Sequence, residues 1–336
     1  MPSSKSIGNI QALRAIAATL VIFQHILIVS IGSFGVDIFF VISGFVIAYV
    51  SLTETPGTFV LKRLFRIVPL YWLGTLAVFA VAAVAPSLVN STTTDVAELF
   101  KSLLFIPYVK DNGLTHPVLF LGWTLNYEML FYVIFAIALT FGARAAPFIA
   151  TVILLSLILI GLLFPIDAEP FRFWTRPLSL EFLFGVWIFV AWHKGIRLPV
   201  TPVFAISIAA ALIVLMGWEE TKKSFDWIEQ LSFGIPAAAV VVVALSCEGK
   251  IKVPAMLLAI GDASYSLYLF HPYLVIPMQK IIGHFTPDPI AIVLAIPFMV
   301  AASIGLALMS YRIIERPSNL WLRSTLMASR ARAVAA

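Results

Sequence analysis

Charge is scarce in this chain. Only 12% of its 336 residues are Asp, Glu, Lys or Arg, while 61% are hydrophobic. A soluble protein of that size cannot hide so much apolar surface, which excludes the soluble globular classes. Cysteine is scarcer still. The single Cys247 excludes a disulfide framework within the chain, and its apolar neighbours make it a packing residue rather than a nucleophile. No polar stretch is long enough to form a soluble domain of ordinary size. Internal repeats and low-complexity segments are absent as well. The first apolar segment carries Arg14 and His25 and is followed by no small-residue cleavage pattern, so it does not read as a cleavable signal. What remains is an all-α polytopic membrane protein.

The apolar runs define ten candidate spans, at roughly 10–30, 34–51, 67–86, 119–141, 148–164, 177–193, 201–217, 231–247, 262–282 and 290–312. Residues 95–107 are too short and too mixed to span, and read as an amphipathic helix lying at an interface. Loop charge sets the orientation. With the N-terminus inside, the inner segments hold fourteen Lys and Arg residues and the outer ones seven, with Arg14 inside the first span completing the 22. The outer loops also gather acids, including Asp167, Glu169, Glu219 and Glu220. The positive-inside rule therefore places both termini in the cytoplasm. The expected units are a transmembrane domain over 1–312 and a short basic tail over 313–336. The net charge of +5 follows from the loop bias and gives no reason to invoke nucleic acid.

Against this apolar background the ionisable residues stand out, because an ionisable group inside a spanning helix is costly and marks a site or a path. Arg14 and His25 are eleven residues apart in the first span. At about 100° per residue that is within roughly 20° of three full turns, so both share one face, about 16 Å apart along the axis. Arg14 and the KRLFR run (Lys62, Arg63, Arg66), just before the third span, lie toward the inside. Glu128 and His271 lie midway, His25 further out, and Asp37 and Glu181 outer still. A cationic inner mouth suits a phosphorylated ligand, and a deep histidine suits proton transfer near neutrality. Pro272 removes a helical hydrogen bond beside His271, so the ninth span is expected to kink there. Each residue also has a plainer use. Lys62, Arg63 and Arg66 also serve as topology determinants. Glu128 equally suits a structural partner of Arg14 or of a histidine, and His271 a cap on backbone freed by Pro272. Trp123, Tyr127, Tyr265 and Tyr268 fit packing or interface positions, and Ser43 and Gly44 suit close helix approach. His116, His193 and His284 read as loop or helix-end residues without a role.

Taken together, these stretches form a pattern. QALRAIAATLVIFQH followed by GVDIFFVISGFVI resembles the start of the membrane-bound acyltransferase-3 family, with its Arg-x10-His signature on the first helix. The resemblance continues through KRLFRIVPLYW, WTLNYE, SYSLYLFH and RIIERP, in the family's order and over essentially the whole chain. It implies an integral, multi-pass protein of the cell's inner (plasma) membrane. The implied activity is movement of an acyl group, commonly acetyl, from acyl-CoA to a hydroxyl of an extracytoplasmic or lipid-linked carbohydrate or glycolipid. Acyl-CoA is then a donor substrate rather than a resident cofactor. The SGNH-type esterase domain that some members carry is expected to be absent.

The same resemblance implies roles for the residues. Arg14, Lys62, Arg63 and Arg66 would hold the phosphates of acyl-CoA, with Trp123 and Tyr268 also on the substrate path. His25 would act as general base on the acceptor hydroxyl. Glu128 or Asp37 would fix its tautomer and steady the imidazolium. His271 would assist the leaving thiolate or bind the acceptor. A proton-coupled transporter is the competing class, since it too lines a path with Arg, Glu and His. It needs no inner basic cluster in register with Arg14, and the sequence shows no paired broken helices in matching halves. A non-catalytic scaffold would not need His25. Exopolysaccharide, O-antigen, lipid-linked sugar, glycolipid and small metabolite all stay open as acceptor.

Overall fold

The computed structural model describes residues 7–27, 34–86, 94–110, 113–196, 226–285, 289–322 and 324–325, with backbone alone at a few of these positions. Among the described residues the protein is helical throughout, without a strand. In order come α1 (Gly8–Leu27), α2 (Phe34–Ser51), α3 (Pro56–Val84), α4 (Val96–Leu103), α5 (Gly122–Leu139), α6 (Ala146–Leu163) and the short α7 (Phe171–Trp174). A 3-10 turn at Pro177–Ser179 leads into α8 (Leu180–His193), followed by α9 (Asp226–Ser246), α10 (Ala255–Asp262), α11 (Ser264–Phe270), α12 (Pro272–Phe285) and α13 (Pro289–Ser310). Every predicted span has a helical counterpart except 201–217, which lies outside the described residues.

Three departures from the sequence reading have local causes. Lys62, Arg63 and Arg66 lie within α3, not in a loop before it. Thr55 caps that helix by accepting from the Thr58 N–H at 3.4 Å, and Pro56 occupies its first turn, so it starts eleven residues ahead of the apolar run. The ninth span is broken twice. Pro272 ends α11 beside His271, as its chemistry predicts, and a further break falls at Ala263. Finally, α13 passes through a π-helical turn at Tyr311–Glu315 and continues helical to Leu322, through the start of the expected tail.

Helices α2, α3, α5, α6 and the run from Ile290 to Leu322 are long and apolar enough to cross a membrane. Their outer faces are bare hydrocarbon: Val152, Leu159 and Leu162 of α6 and Leu294 and Phe298 of α13 are all more than half exposed. Scattered exposed apolar groups are normal in water, but faces composed of them belong in lipid. The protein is an integral membrane protein. The segment read as interfacial forms α4, capped by Asp95, whose Oδ1 accepts from the Ala97 and Glu98 N–H groups, and it leaves Val96 and Phe100 outward.

Helix α1 sits in the middle of the bundle. Ile10, Leu13 and Ala17 join the main core, Ala15, Ala18, Ile22 and Ile26 face α10 to α13, and Val21 meets Leu121 and Tyr268. Enclosure on most sides, with Ile16 left outward, is what permits polar groups on the inner faces of α1 at membrane depth. Tight backbone contact supports the packing, as expected where no hydrophobic gain drives helices together in lipid. A Cβ on Gly44 of α2 would lie 1.9 Å from the Phe182 carbonyl oxygen, and one on Gly185 of α8 would lie 1.9 Å from that of Val41. The two glycines let α2 and α8 touch reciprocally.

Candidate active site

Three cavities share walls in sequence through the bundle. The first, about 350 Å³, is lined by Gln11, Arg14, Lys62, Arg63, Arg66, Asp262, Glu315 and Arg316 among others. Arg14, Arg63 and Arg66 also line the second, a neck of about 80 Å³ with Ser43, Thr124, Glu128 and Tyr132. Val36 and Tyr268 close the far end of the neck and open onto the third, about 700 Å³, which holds His25, Asp37, His116, Trp123, Tyr127, Arg172 and Arg176. The shared face of Arg14 and His25 inferred from helical spacing is therefore a wall of this path.

At the cationic end Arg14 is only 9% exposed, yet its partner is neutral. Its Nε and Nη2 donate to the Ser264 hydroxyl at 3.2 and 2.9 Å. Among the described residues no carboxylate lies within ion-pair reach of it. A buried guanidinium whose hydrogen-bond partner among the described residues is a hydroxyl, with Glu315 and Asp262 only further along the cavity wall, costs several kcal/mol in desolvation that the hydroxyl does not return. An anion in the cavity would return it. Glu128, a candidate partner for Arg14, instead accepts from the Ser43 hydroxyl at 3.2 Å and, in a short hydrogen bond, from Tyr132. Ser43 thus serves polar satisfaction while Gly44 beside it serves packing. Lys62 is less free than its sequence suggests: it pairs with Glu54 at 2.7 Å, and Arg63 approaches the other oxygen of Glu54 at 3.8 Å. Ser266 donates to Glu315, of the RIIERP motif, at 2.8 Å, which brings the chain's last motif to the wall beside Arg14 and Arg66.

At the other end the two central histidines meet. His271 Nε2 is 3.1 Å from His25 Nδ1, with ring centroids 4.9 Å apart and edge-on. Two backbone carbonyls decide the protons. His271 Nδ1 lies 3.0 Å from the Leu267 oxygen and His25 Nδ1 lies 2.9 Å from the Val21 oxygen. A carbonyl oxygen only accepts, so both Nδ1 atoms carry hydrogen. His271 Nε2 is then a bare acceptor for the His25 N–H, and His25 Nε2, across the ring, keeps a lone pair. The arrangement assigns the basic nitrogen of His25 without a carboxylate. Of the two carboxylates expected to orient it, Asp37 lines the same cavity as His25. Glu128 is in the neck with Tyr132, while Asp37 is buried beside Glu181 of α8. His271 lines none of the three cavities and touches one through His25, whose ring it meets.

Between the ends stands Tyr268. Its hydroxyl is 2.8 Å from the Thr124 hydroxyl and donates to the Leu121 carbonyl at 3.2 Å, fixing the ring where neck and third cavity meet. Trp123 lines the third cavity alone, edge-on to Tyr127 at 6.3 Å. His116, given no role from sequence, also lines it. Burial and, secondarily, Lys110 push its pKa below the ordinary imidazole value, so it is neutral there.

Sequence reasoning missed Ser264, Glu54, His116, Arg172 and Arg176. A serine or loop acid carries no signal alone, and SYSLYLFH was read for its aromatics and histidine.

Fold and site thus define an integral membrane protein whose polar interior runs from an arginine cluster to an oriented histidine pair. The family model described as an acyltransferase domain matches residues 7–308. The exopolysaccharide production protein ExoZ of Rhizobium meliloti (strain 1021) is 36% identical over 306 residues, covering 86% of this chain and 90% of its own. The O-acetyltransferase OatA of Staphylococcus aureus (strain NCTC 8325 / PS 47) is 25% identical, over 94% of this chain and 58% of its own. The putative peptidoglycan O-acetyltransferase YrhL of Bacillus subtilis (strain 168) is 27% identical, over 93% of this chain and 54% of its own. The chain thus spans little more than half the length of the last two. No solved structure matches. The chain belongs to the acyltransferase-3 family and is an O-acyltransferase.

Proposed function

We propose that the protein transfers acetyl from cytoplasmic acetyl-CoA to a hydroxyl of a carbohydrate on the far side of the inner membrane. The donor enters at the cationic cavity, where Arg14, Arg66 and the Glu54-tethered Lys62 and Arg63 hold its phosphates. The nucleotide stays in that mouth, because the neck of about 80 Å³ admits only the slim thioester arm. The acceptor enters the cavity of about 700 Å³, within the roughly 300–1,000 Å³ range of small-ligand pockets. His25 Nε2 takes the proton of the acceptor hydroxyl, and the oxygen attacks the thioester carbonyl. As the tetrahedral adduct collapses the C–S bond breaks, and the imidazolium returns the proton to the thiolate, giving ester and free CoA. The His271 ring and the Val21 carbonyl share the Nδ1 proton of His25 throughout and steady its charged form. Acetyl and a polysaccharide acceptor are inferred from the activities named for the relatives.

One observation carries the reading: a buried arginine without a carboxylate and an oriented histidine lie on one face of α1, each in a cavity at opposite ends of a narrow neck. The test is transfer of labelled acetyl from acetyl-CoA to envelope glycans by purified protein in nanodiscs. His25→Ala is expected to lose at least ~100-fold of that rate, the scale of an acid–base group. His271→Gln is expected to lose less and to shift the pH profile of kcat, since only the orienting partner changes. Half the wild-type rate in His25→Ala, or no acyl-CoA turnover by the wild type, would sink the proposal.

A further inference from the structure

The far cavity holds a second pair of arginines that the transfer step does not use. Arg172 and Arg176 line it, four residues apart across α7 and the turn that follows. The acid nearest in sequence is already engaged: Glu169 accepts from the Phe173 N–H at 3.1 Å, capping α7. Among the described residues neither arginine has a carboxylate within ion-pair distance. Arg176 is held in place. Its guanidinium lies 5.7 Å from the Phe173 ring centroid, and buried Phe173 in turn stacks on Tyr127 at 4.1 Å. Tyr127 and Trp123 continue that aromatic wall along the cavity. Among the described residues the wall carries two guanidiniums against one carboxylate, Asp37, which lies beside the buried Glu181. His116 Nδ1 is buried on the same wall without a hydrogen-bond partner among the described residues.

We infer that the acceptor is anionic, and that Arg172 and Arg176 recognise its negative group while Trp123 takes a sugar face. The inference rests on the transferase reading and narrows its substrate class. Planar guanidiniums fit carboxylate and phosphate oxygens two at a time, which neutral sugar hydroxyls cannot match. The anion is either the carboxylate of an acidic sugar or the phosphate of a lipid carrier bearing the glycan. A positive wall also raises the local concentration of a negative substrate.

The experiment uses the full chain in nanodiscs with labelled acetyl-CoA and three acceptors. These are a uronate-containing oligosaccharide, its carboxyl-reduced neutral counterpart, and that neutral glycan on a polyprenyl diphosphate. Preference for the uronate over its reduced form assigns the arginines to a carboxylate. Preference for the diphosphate-linked glycan over the free neutral one assigns them to phosphate. In either case Arg172→Gln or Arg176→Gln should raise KM for the preferred acceptor by ~10-fold, and the Lys variants should recover part of it. That KM should also climb with salt in the wild type. The Lys variants, checked for unchanged melting temperature, guard against loss of fold. Equal use of all three acceptors by the wild type, or glutamine variants that keep the preference, overturns the inference and leaves the transferase reading intact. Turnover of none of them, together with no hydrolysis of acetyl-CoA, overturns both.

Discussion

At the scale of single residues, the identity of a partner matters more than its presence. Arg14 on Ser264 and Arg14 on a carboxylate are both satisfied hydrogen bonds, but only the first leaves a net charge inside the bundle for a ligand to neutralise. A phosphate contact of this kind contributes about 1.5–3 kcal/mol. Arg14→Ala is therefore expected to raise the KM for acyl-CoA by roughly 10- to 150-fold, with Lys recovering part because charge is kept and the fork lost. Stability should fall only modestly, since Arg66 stays beside the buried Glu315 when Arg14 is gone. A purified variant with unchanged KM and a collapsed melting temperature would show instead that Arg14 is structural. The histidine pair makes a similar point. His25 and His271 were visible in the sequence as deep titratable groups, but which nitrogen is basic depends on the Val21 and Leu267 carbonyls, which only coordinates locate.

Elements show where pattern reading works and where it stops. Apolar runs of membrane length and the Arg-x10-His spacing are local, so α1, α2 and the helices after them could be read directly. So could the break at Pro272, whose ring cannot continue the ladder. The early start of α3 was equally local: Thr55-Pro56 is a start signal that the charges of KRLFR obscured. Other features are not local at all. Arg14 and Ser264 are 250 positions apart, and His25 and His271 are 246 apart, so neither pairing has a spacing to detect. The contact of α2 with α8 is of this second kind and is the most exacting in the bundle. Gly44→Ala places a methyl where the Phe182 carbonyl oxygen now sits, so the helices must part. That variant is expected to melt several degrees lower and to lose activity with it, since α2 also carries Asp37 and Ser43 to the cavities. A thermal shift in detergent measures it, and an unchanged melting temperature would mean that close contact of α2 with α8 does not hold the bundle together.

For the molecule as a whole, orientation decides which end meets the donor. The loop charge predicts that reporter fusions after Val50 and after Arg144 read out as cytoplasmic, and fusions near Asp111 and Glu219 as outside. An outside signal at Arg144 would reverse the direction of transfer proposed above.

The neck has a consequence for the cell's energy supply as well. Two chambers lined with charge lie at either end of a narrow neck, in a protein set in a bilayer that must sustain a proton-motive force. Among the described residues Val36 and Tyr268, whose hydroxyl pairs with that of Thr124, stand where they meet. A transported coenzyme would require that partition to open. The slim thioester arm parts it only by its own width and fills the gap it makes, so the partition can stay tight to ions through every turnover. Tyr268→Ala should therefore depolarise liposomes or cells in which the wild type is silent, as read by a voltage-sensitive dye. A variant that stays electrically tight would place the insulation elsewhere in the bundle.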